Sequence, residues 1–229
     1  MPNTTAEQEP TATVTPVPVP TTHDRYPPGV SVRGVAPEVV GATMRTELQD
    51  TAFTWTLVER GTFEANSTTT DYVGSRFHAE VAGSLRYTLD QRLLAADSDN
   101  DTLLSATYVN GSRVLVYDGE NITARPVASA HQGYPSRVAA TIAEYLSAKR
   151  VDTTTHENGS VLVEGVGSNR PGVSNYTVTA LIGPDGIIHR LNAEFTTDGR
   201  SATISFRLER NTAFESPVWA GRSNGTVTR

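Results

Sequence analysis

Residues 176–208 read YTVTALI, GPDG, IIHRLNAEFTT, DG and RSATISFRL. In the last run Ala202, Ile204, Phe206 and Leu208 alternate with Thr203, Ser205 and Arg207, the period of a strand with one dry face and one wet one. Gly183-Pro184-Asp185-Gly186 joins Tyr176–Ile182 to Ile187–Thr196, and Asp198-Gly199 joins that segment to Ala202–Leu208. Both connections carry tight-turn chemistry, so the stretch predicts three successive antiparallel strands.

The same pattern extends toward the N-terminus. Asn158-Gly159 precedes a strand over Ser160–Val166. Asn110-Gly111 separates Leu103–Val109 from Arg113–Tyr117, and Asp118-Gly119 follows at once, which predicts two hairpins in succession. Further upstream, Phe53, Trp55 and Leu57 alternate with Thr54 and Thr56. Val73, Phe77, Ala79 and Val81 alternate with Arg76, His78 and Glu80, and Leu85, Tyr87 and Leu89 with Arg86, Thr88 and Asp90. About nine antiparallel strands follow, greasy on one side.

Two segments carry the helical period instead. Pro37 suits a first turn, and Val40, Met44 and Leu48 fall at i, i+4 and i+8, predicting a helix of about 14 residues. Between Tyr134 and Arg150, Val138, Ile142, Tyr145 and Leu146 form a stripe that Pro135 and Ser136 open, with Lys149 and Arg150 placed for the negative end of the helix dipole. The expected fold is α+β: a single strongly curved antiparallel sheet, a half-barrel of about nine strands, with both helices on its concave face. A two-sheet sandwich is the alternative, but it leaves both helix stripes without a partner.

Composition bounds the function. The 229 residues are 37% hydrophobic and 19% charged, with no cysteine, so disulfides, thiolate nucleophiles and cysteine zinc sites are excluded. No apolar run approaches the roughly 20 residues of a membrane-spanning helix. Net charge is −6 and the basic residues are scattered singly, against a nucleic-acid grip. Eighteen of the 19 basic residues are Arg, a skew of GC-rich genomes that is compatible with a salt-adapted proteome. Residues 1–28 hold seven of the 13 prolines and no apolar periodicity, the composition of a disordered Thr/Pro-rich tether. The folded domain is expected over 29–220, and 221–229 form a short disordered tail.

Eight of the 11 Asn lie in Asn-x-Ser/Thr sequons, against about two or three expected from random placement. Asn66, Asn110, Asn121, Asn158 and Asn175 are the glycosylation candidates within the domain. Turn chemistry alone accounts for Asn110 and Asn158, but the excess favours a glycosylated surface outside the cell.

Catalytic motifs are scarce. Asp97-Ser98-Asp99-Asn100-Asp101 begins like a calcium loop but has Thr102 in place of the turn glycine and Tyr108 in place of the bidentate glutamate, as in a solvated loop. Gly165-Val166-Gly167-Ser168-Asn169-Arg170 lacks the lysine and helix of a phosphate loop. No two of the five histidines have helical metal spacing, and no Gly-x-Ser-x-Gly elbow occurs. No catalytic residue, metal or cofactor is therefore expected. The remaining candidate is apolar. Met44, Leu48, Phe53, Trp55, Phe77, Tyr87, Ile142, Leu146, Leu191, Phe195 and Phe206 should converge between sheet and helices, either as core or as the lining of a cavity for an acyl chain.

The order of these features resembles a known group. A Thr/Pro segment runs into Tyr26-Pro27-Pro28-Gly29-Val30, then Gly34-Val35, a helix, Asn-Gly-punctuated strands, a second helix and the Asp185-Gly186 hairpin, and the chain ends through Asn211-Thr212 and Pro217-Val218-Trp219. This is similar to a family of uncharacterised haloarchaeal surface lipoproteins, over nearly the whole chain. Their plan resembles the LolA- and LppX-like lipoprotein carriers, in which a half-barrel against helices shelters acyl chains. The resemblance implies a monomer on the outer face of the cell membrane, held through a lipid-modified cysteine upstream of the tether. Neither that cysteine nor a signal segment lies in the sequence as given. Three classes remain open: a tethered domain binding a lipid or other apolar ligand, a non-catalytic surface domain with a filled core, and an enzyme, which needs convergent polar groups in a cavity.

Overall fold

The structure, a computed structural model, describes residues 26–65, 68–71, 74–94 and 101–222. The chain enters through a small hairpin of β1 (Val30–Ser31) and β2 (Gly34–Val35) and then forms helix α1 (Pro37–Glu47). Pro37 occupies the first turn, Glu38 lies at the positive end of the dipole and Arg45 at the negative end. Helix α1 has 11 residues, not the expected 14, because Leu48 closes it and Gln49 turns back onto the Thr46 carbonyl. Its stripe is as read: Val40, Met44 and Leu48 are fully buried.

The strands that follow are β3 (Phe53–Ala65), β4 (Thr68–Asp71), β5 (Gly74–Gly83), β6 (Arg86–Leu94), β7 (Thr102–Asn110), β8 (Arg113–Tyr117) and β9 (Ile122–Pro126). Helix α2 (Tyr134–Thr141) and a 3-10 turn (Ile142–Leu146) lead to β10 (Ala148–Thr155), β11 (Val161–Ser168), β12 (Val173–Ile182), β13 (Ile188–Thr197) and β14 (Arg200–Arg210). Strands β3 to β14 form one antiparallel sheet of 12 strands in the order β10-β11-β12-β13-β14-β3-β5-β6-β7-β8-β9, with β4 paired to β3 alone. The count exceeds the expected nine through β4, β9 and β10. The sheet is open, and β9 and β10 are its edges. Each half is a meander of neighbouring strands, and α2 carries the chain from one edge to the other across the face that both halves share.

Hairpin chemistry fixes the register. At the β13–β14 turn Asp198 (φ 50°) and Gly199 (φ 71°) both take left-handed backbone, the geometry that closes a two-residue loop without splaying the strands. The Thr197↔Arg200 pair brackets this turn and carries the alternation on to Phe206 opposite Leu191. Both then point to the helices.

The second helix departs from expectation. It does not run to Arg150: it tightens after Thr141, and Ala148, Lys149 and Arg150 open β10. Ala148–Thr155 pair with Val161–Ser168, and this ladder outweighs the local helix preference of Ala-Lys-Arg. The carbonyls at the end of the turn are taken from elsewhere. The Tyr176 hydroxyl donates to Tyr145 O and the Arg170 guanidinium to Glu144 O. Arg170, not Lys149 or Arg150, is the cation at that end.

One core joins both halves of the sheet to the helices. Three sheet side chains also bond to main-chain carbonyls around α2: Trp55 Nε1 to Pro135 O, the Tyr87 hydroxyl to His131 O, and Tyr176 as above. The opposite face of the sheet is less wet than its alternation suggests. Beyond β14 the chain crosses to β7 and β8, where Phe214 stacks on Tyr108, Trp219 on Tyr117, and Ser216 shares a 3.0 Å hydrogen bond with Tyr108. Ala106, Tyr108 and Leu115 are buried on that face. The chain ends its described course in a 3-10 turn, Val218–Arg222. At the other terminus, Pro27 is buried and Tyr26 packs against the core.

Candidate functional site

The helix-facing side of β3, β5, β6 and β7 consists of three cross-strand rows. The first is Phe53, Val81, Tyr87 and Val109, all buried. The second is Trp55, Ala79, Leu89 and Thr107, of which the last two are only partly covered. The third is Leu57, Phe77, Gln91 and Ser105, all half-buried. Cover thus thins along the strands, because α2 lies over the first rows and leaves the third at its margin.

A cleft of about 270 Å³ opens there. Trp55, Leu57, Phe77 and Leu89 form its sheet wall, and Tyr134 and Val138 of α2 its other wall. Glu59, Gln91, Ser105 and Thr107 supply the polar lining. Tyr134 is 41% exposed, so the mouth keeps an aromatic ring in water. An apolar wall with a few polar groups at one end suits a chain-like ligand with a polar terminus.

The predicted residues divide into three groups. Met44, Leu48, Phe53, Tyr87, Ile142, Leu146, Leu191 and Phe206 are at most 3% exposed and pack in the shared core. Trp55 and Phe77 line the cleft, although Trp55 is otherwise buried and tilts against Phe206 with ring centroids 6.4 Å apart. Phe195 lies apart from the cleft in an aromatic group with Tyr145 and Tyr176, at 6.4 and 6.1 Å. The residues not anticipated are Leu57, Glu59, Leu89, Gln91, Ser105, Thr107, Tyr134 and Val138. The available signal is the β3 alternation itself, Phe53, Trp55, Leu57, Glu59, in which a carboxylate takes the fourth inward place.

Electrostatics around the helix-facing side follow burial. The Tyr87 phenol is pushed up to about 12 by burial, with Tyr134 adding and Arg137 opposing. Tyr176 is pushed up to about 12, again by burial first. Tyr145 is raised by burial and next by the Glu59 charge, against a lowering by Arg170. Arg170 also stands over the Tyr145 ring, 5.5 Å from its centroid.

Other groupings do less. Between α1 and the turn after α2 lies a groove of about 540 Å³, floored by Gly41, Ala140 and Ala143 and rimmed by Glu38, Arg45, Glu144 and Arg170. On the opposite sheet face Thr56 Oγ1 lies 2.9 Å from His78 Nδ1, and His78 Nε2 lies 3.5 Å from Glu80 Oε1. This order mimics a hydroxyl–imidazole–carboxylate relay. However, it sits on interior strands whose main-chain N–H groups serve the ladder, so no backbone donors are left to hold an oxyanion. Among the described residues no three metal-ligating side chains converge. Asp97 to Asn100 lie outside the described residues, and Asp101 forms an ion pair with Arg76. Gly165, of the apparent phosphate loop, sits within β11. Of the sequon residues, Asn110, Asn121, Asn158 and Asn175 are exposed, and Asn66 lies outside the described residues. The Asn158 side chain accepts hydrogen bonds from Ser160 N and Oγ, so it also serves its turn.

No family model matches the chain, and no curated protein matches it. Solved structures do show likeness. LprF from Mycobacterium bovis aligns over 80% of this chain and 97% of its own, with 9% identity and a TM-score of 0.38. A LolA superfamily protein from Nitrosomonas europaea aligns over 79% and 96%, with 8% identity and a TM-score of 0.30. A DUF1329 family protein from Desulfovibrio piger aligns over 78% and 93%, with 9% identity and a TM-score of 0.31.

Proposed function

We propose that this chain is a non-catalytic, extracytoplasmic domain that holds a lipid or other apolar ligand in the cleft between α2 and the β3–β7 wall. One observation carries the reading. Leu57, Phe77 and Leu89 remain only half-buried on the helix-facing side, beside a wall of Tyr134 and Val138, while the first row, Phe53, Val81, Tyr87 and Val109, is closed. Leaving large apolar groups in water costs about 25 cal/mol per Å², and an apolar ligand laid in the cleft recovers that cost. The Trp55 and Phe77 rings are the proposed contacts for it. The eight core residues shape the cleft from behind.

The proposed location outside the membrane, with the Thr/Pro-rich segment before Tyr26 as a tether to an anchor, rests on the Thr/Pro composition and the sequon excess, Tyr26 and Pro27 belonging to the folded domain. Exposure of Asn110, Asn121, Asn158 and Asn175 supports glycans there and equally favours a second reading, a glycosylated surface domain without a ligand. Uptake of an uncharged apolar dye, N-phenylnaphthylamine, separates the two. Saturable binding that Thr107→Phe reduces at least about tenfold, with the melting temperature preserved, is expected if the cleft is the site. No saturable binding by the parent protein leaves the second reading.

A further inference from the structure

Resting on the reading of the cleft as an apolar-ligand site, we infer that its ligand carries a non-anionic head that donates hydrogen bonds, an ammonium or a hydroxyl group, which sits against Glu59. Glu59 is half-buried at the end of the inward row Phe53, Trp55, Leu57, opposite Ile204 on β14 and Ser75 on β5. Neither neighbour offers it a charge. The other polar groups of the lining, Gln91, Ser105 and Thr107, are neutral, and no Lys or Arg lines the cleft.

The cations of the neighbouring strands β5 and β6 are directed elsewhere. Arg76 and Arg92 alternate to the opposite face of the sheet, where Arg76 pairs with Asp101. From the helix side Tyr134 lines the same cleft, and the Glu59 charge helps to raise the Tyr145 phenol. Arg170 lies over that ring and bonds to Glu144. Among the described residues, the Glu59 side chain has no ion-pair or hydrogen-bond partner, while its main chain serves the ladders to β14 and β5.

The Glu59 carboxylate, half-buried beside Trp55, Leu57 and Phe77, is placed to accept from a donor on the ligand, and such a charge-assisted bond adds to the apolar contact of the chain. A carboxylate or phosphate head in the same place adds a second negative charge at short range, which the low-dielectric wall amplifies. The site therefore selects by head charge as well as by chain.

The test compares dodecylamine, dodecanol and dodecanoate at neutral pH, below their aggregation limits, against the full chain carrying Trp219→Phe, so that Trp55 emission reports the cleft. Binding should follow the order amine, alcohol, carboxylate, with the amine at least about tenfold tighter than the carboxylate. Glu59→Gln should bring the two within about threefold. Ser105→Lys, which places a cation in the lining, should reverse the order. Equal or tighter binding of the carboxylate by the parent, or an order unchanged in Glu59→Gln, overturns the inference while dodecanol binding leaves the cleft standing. Binding of none of the three overturns the cleft reading and the inference with it.

Discussion

The indole N–H of Trp55, on the central strand of the sheet, donates to the main-chain carbonyl of Pro135 in the first turn of α2, 3.2 Å away and 80 residues distant in sequence. It fixes the helix to the wall at the closed end of the cleft. Replacing Trp55 with Phe removes this buried bond and part of the ring, so the protein should lose about 1–3 kcal/mol in denaturant unfolding. The same variant should bind N-phenylnaphthylamine more weakly. A change below about 0.5 kcal/mol would show that the bond does not hold the helix.

Gly165 tests the packing of the other half. A Cβ built there meets the Ala148 Cβ at 2.7 Å and the Val178 Cγ1 at 2.8 Å, because β10 and β12 close over β11 at that point. Gly165→Ala should destabilise by about 1–3 kcal/mol, read by thermal melting. An unchanged melting temperature would mean that the strands move apart at no cost.

Alkali should loosen the helix from the sheet. Tyr87 and Tyr176 donate their hydroxyl protons to His131 O and Tyr145 O, and burial pushes both phenols up to about 12. A folded value above the ordinary 10 makes their contribution complete below pH 10 and lost as pH rises toward 12. In a parallel titration by tyrosinate absorbance and circular dichroism, the last tyrosines to ionise should do so together with unfolding. Tyr87→Phe removes one of these ionisations and should shift the unfolding midpoint to higher pH. Free ionisation of all eight tyrosines near pH 10 with the fold intact would contradict the geometry.

What the sequence discloses depends on range. Asp198-Gly199 announces its turn because left-handed backbone at both positions suits that dipeptide, and Gly111 announces the β7–β8 turn, whose loop is Gly111-Ser112 with Asn110 still paired to Arg113. The Met44–Leu48 stripe is visible because four residues of spacing define a helix face. Ala148-Lys149-Arg150 misleads, since its strand conformation is imposed by Ser168 and Val166 across the ladder. The cleft is half legible. Trp55 and Phe77 stand out as large apolar residues, but Glu59, Gln91 and Ser105 break the alternation and pass for the wet face unless their register is known. Phe214 and Trp219 are too few and too irregular for any period to reveal that they cover Tyr108 and Tyr117.

The order of strands also sets a timetable. Every neighbouring pair in the main path follows closely in the chain except one, the eleven-pair seam between Arg200–Arg210 and Phe53–Phe63. As the protein is synthesised, β3 can form with β5 at once, but its other edge waits for the last strand to leave the ribosome, on the order of ten seconds later. During that interval the longest strand of the sheet offers a row of free amides and carbonyls to any neighbouring nascent chain. Glu59 and Arg60, set side by side in it, are the charges that discourage such pairing, so the carboxylate that marks the cleft in the finished protein also guards the unfinished one.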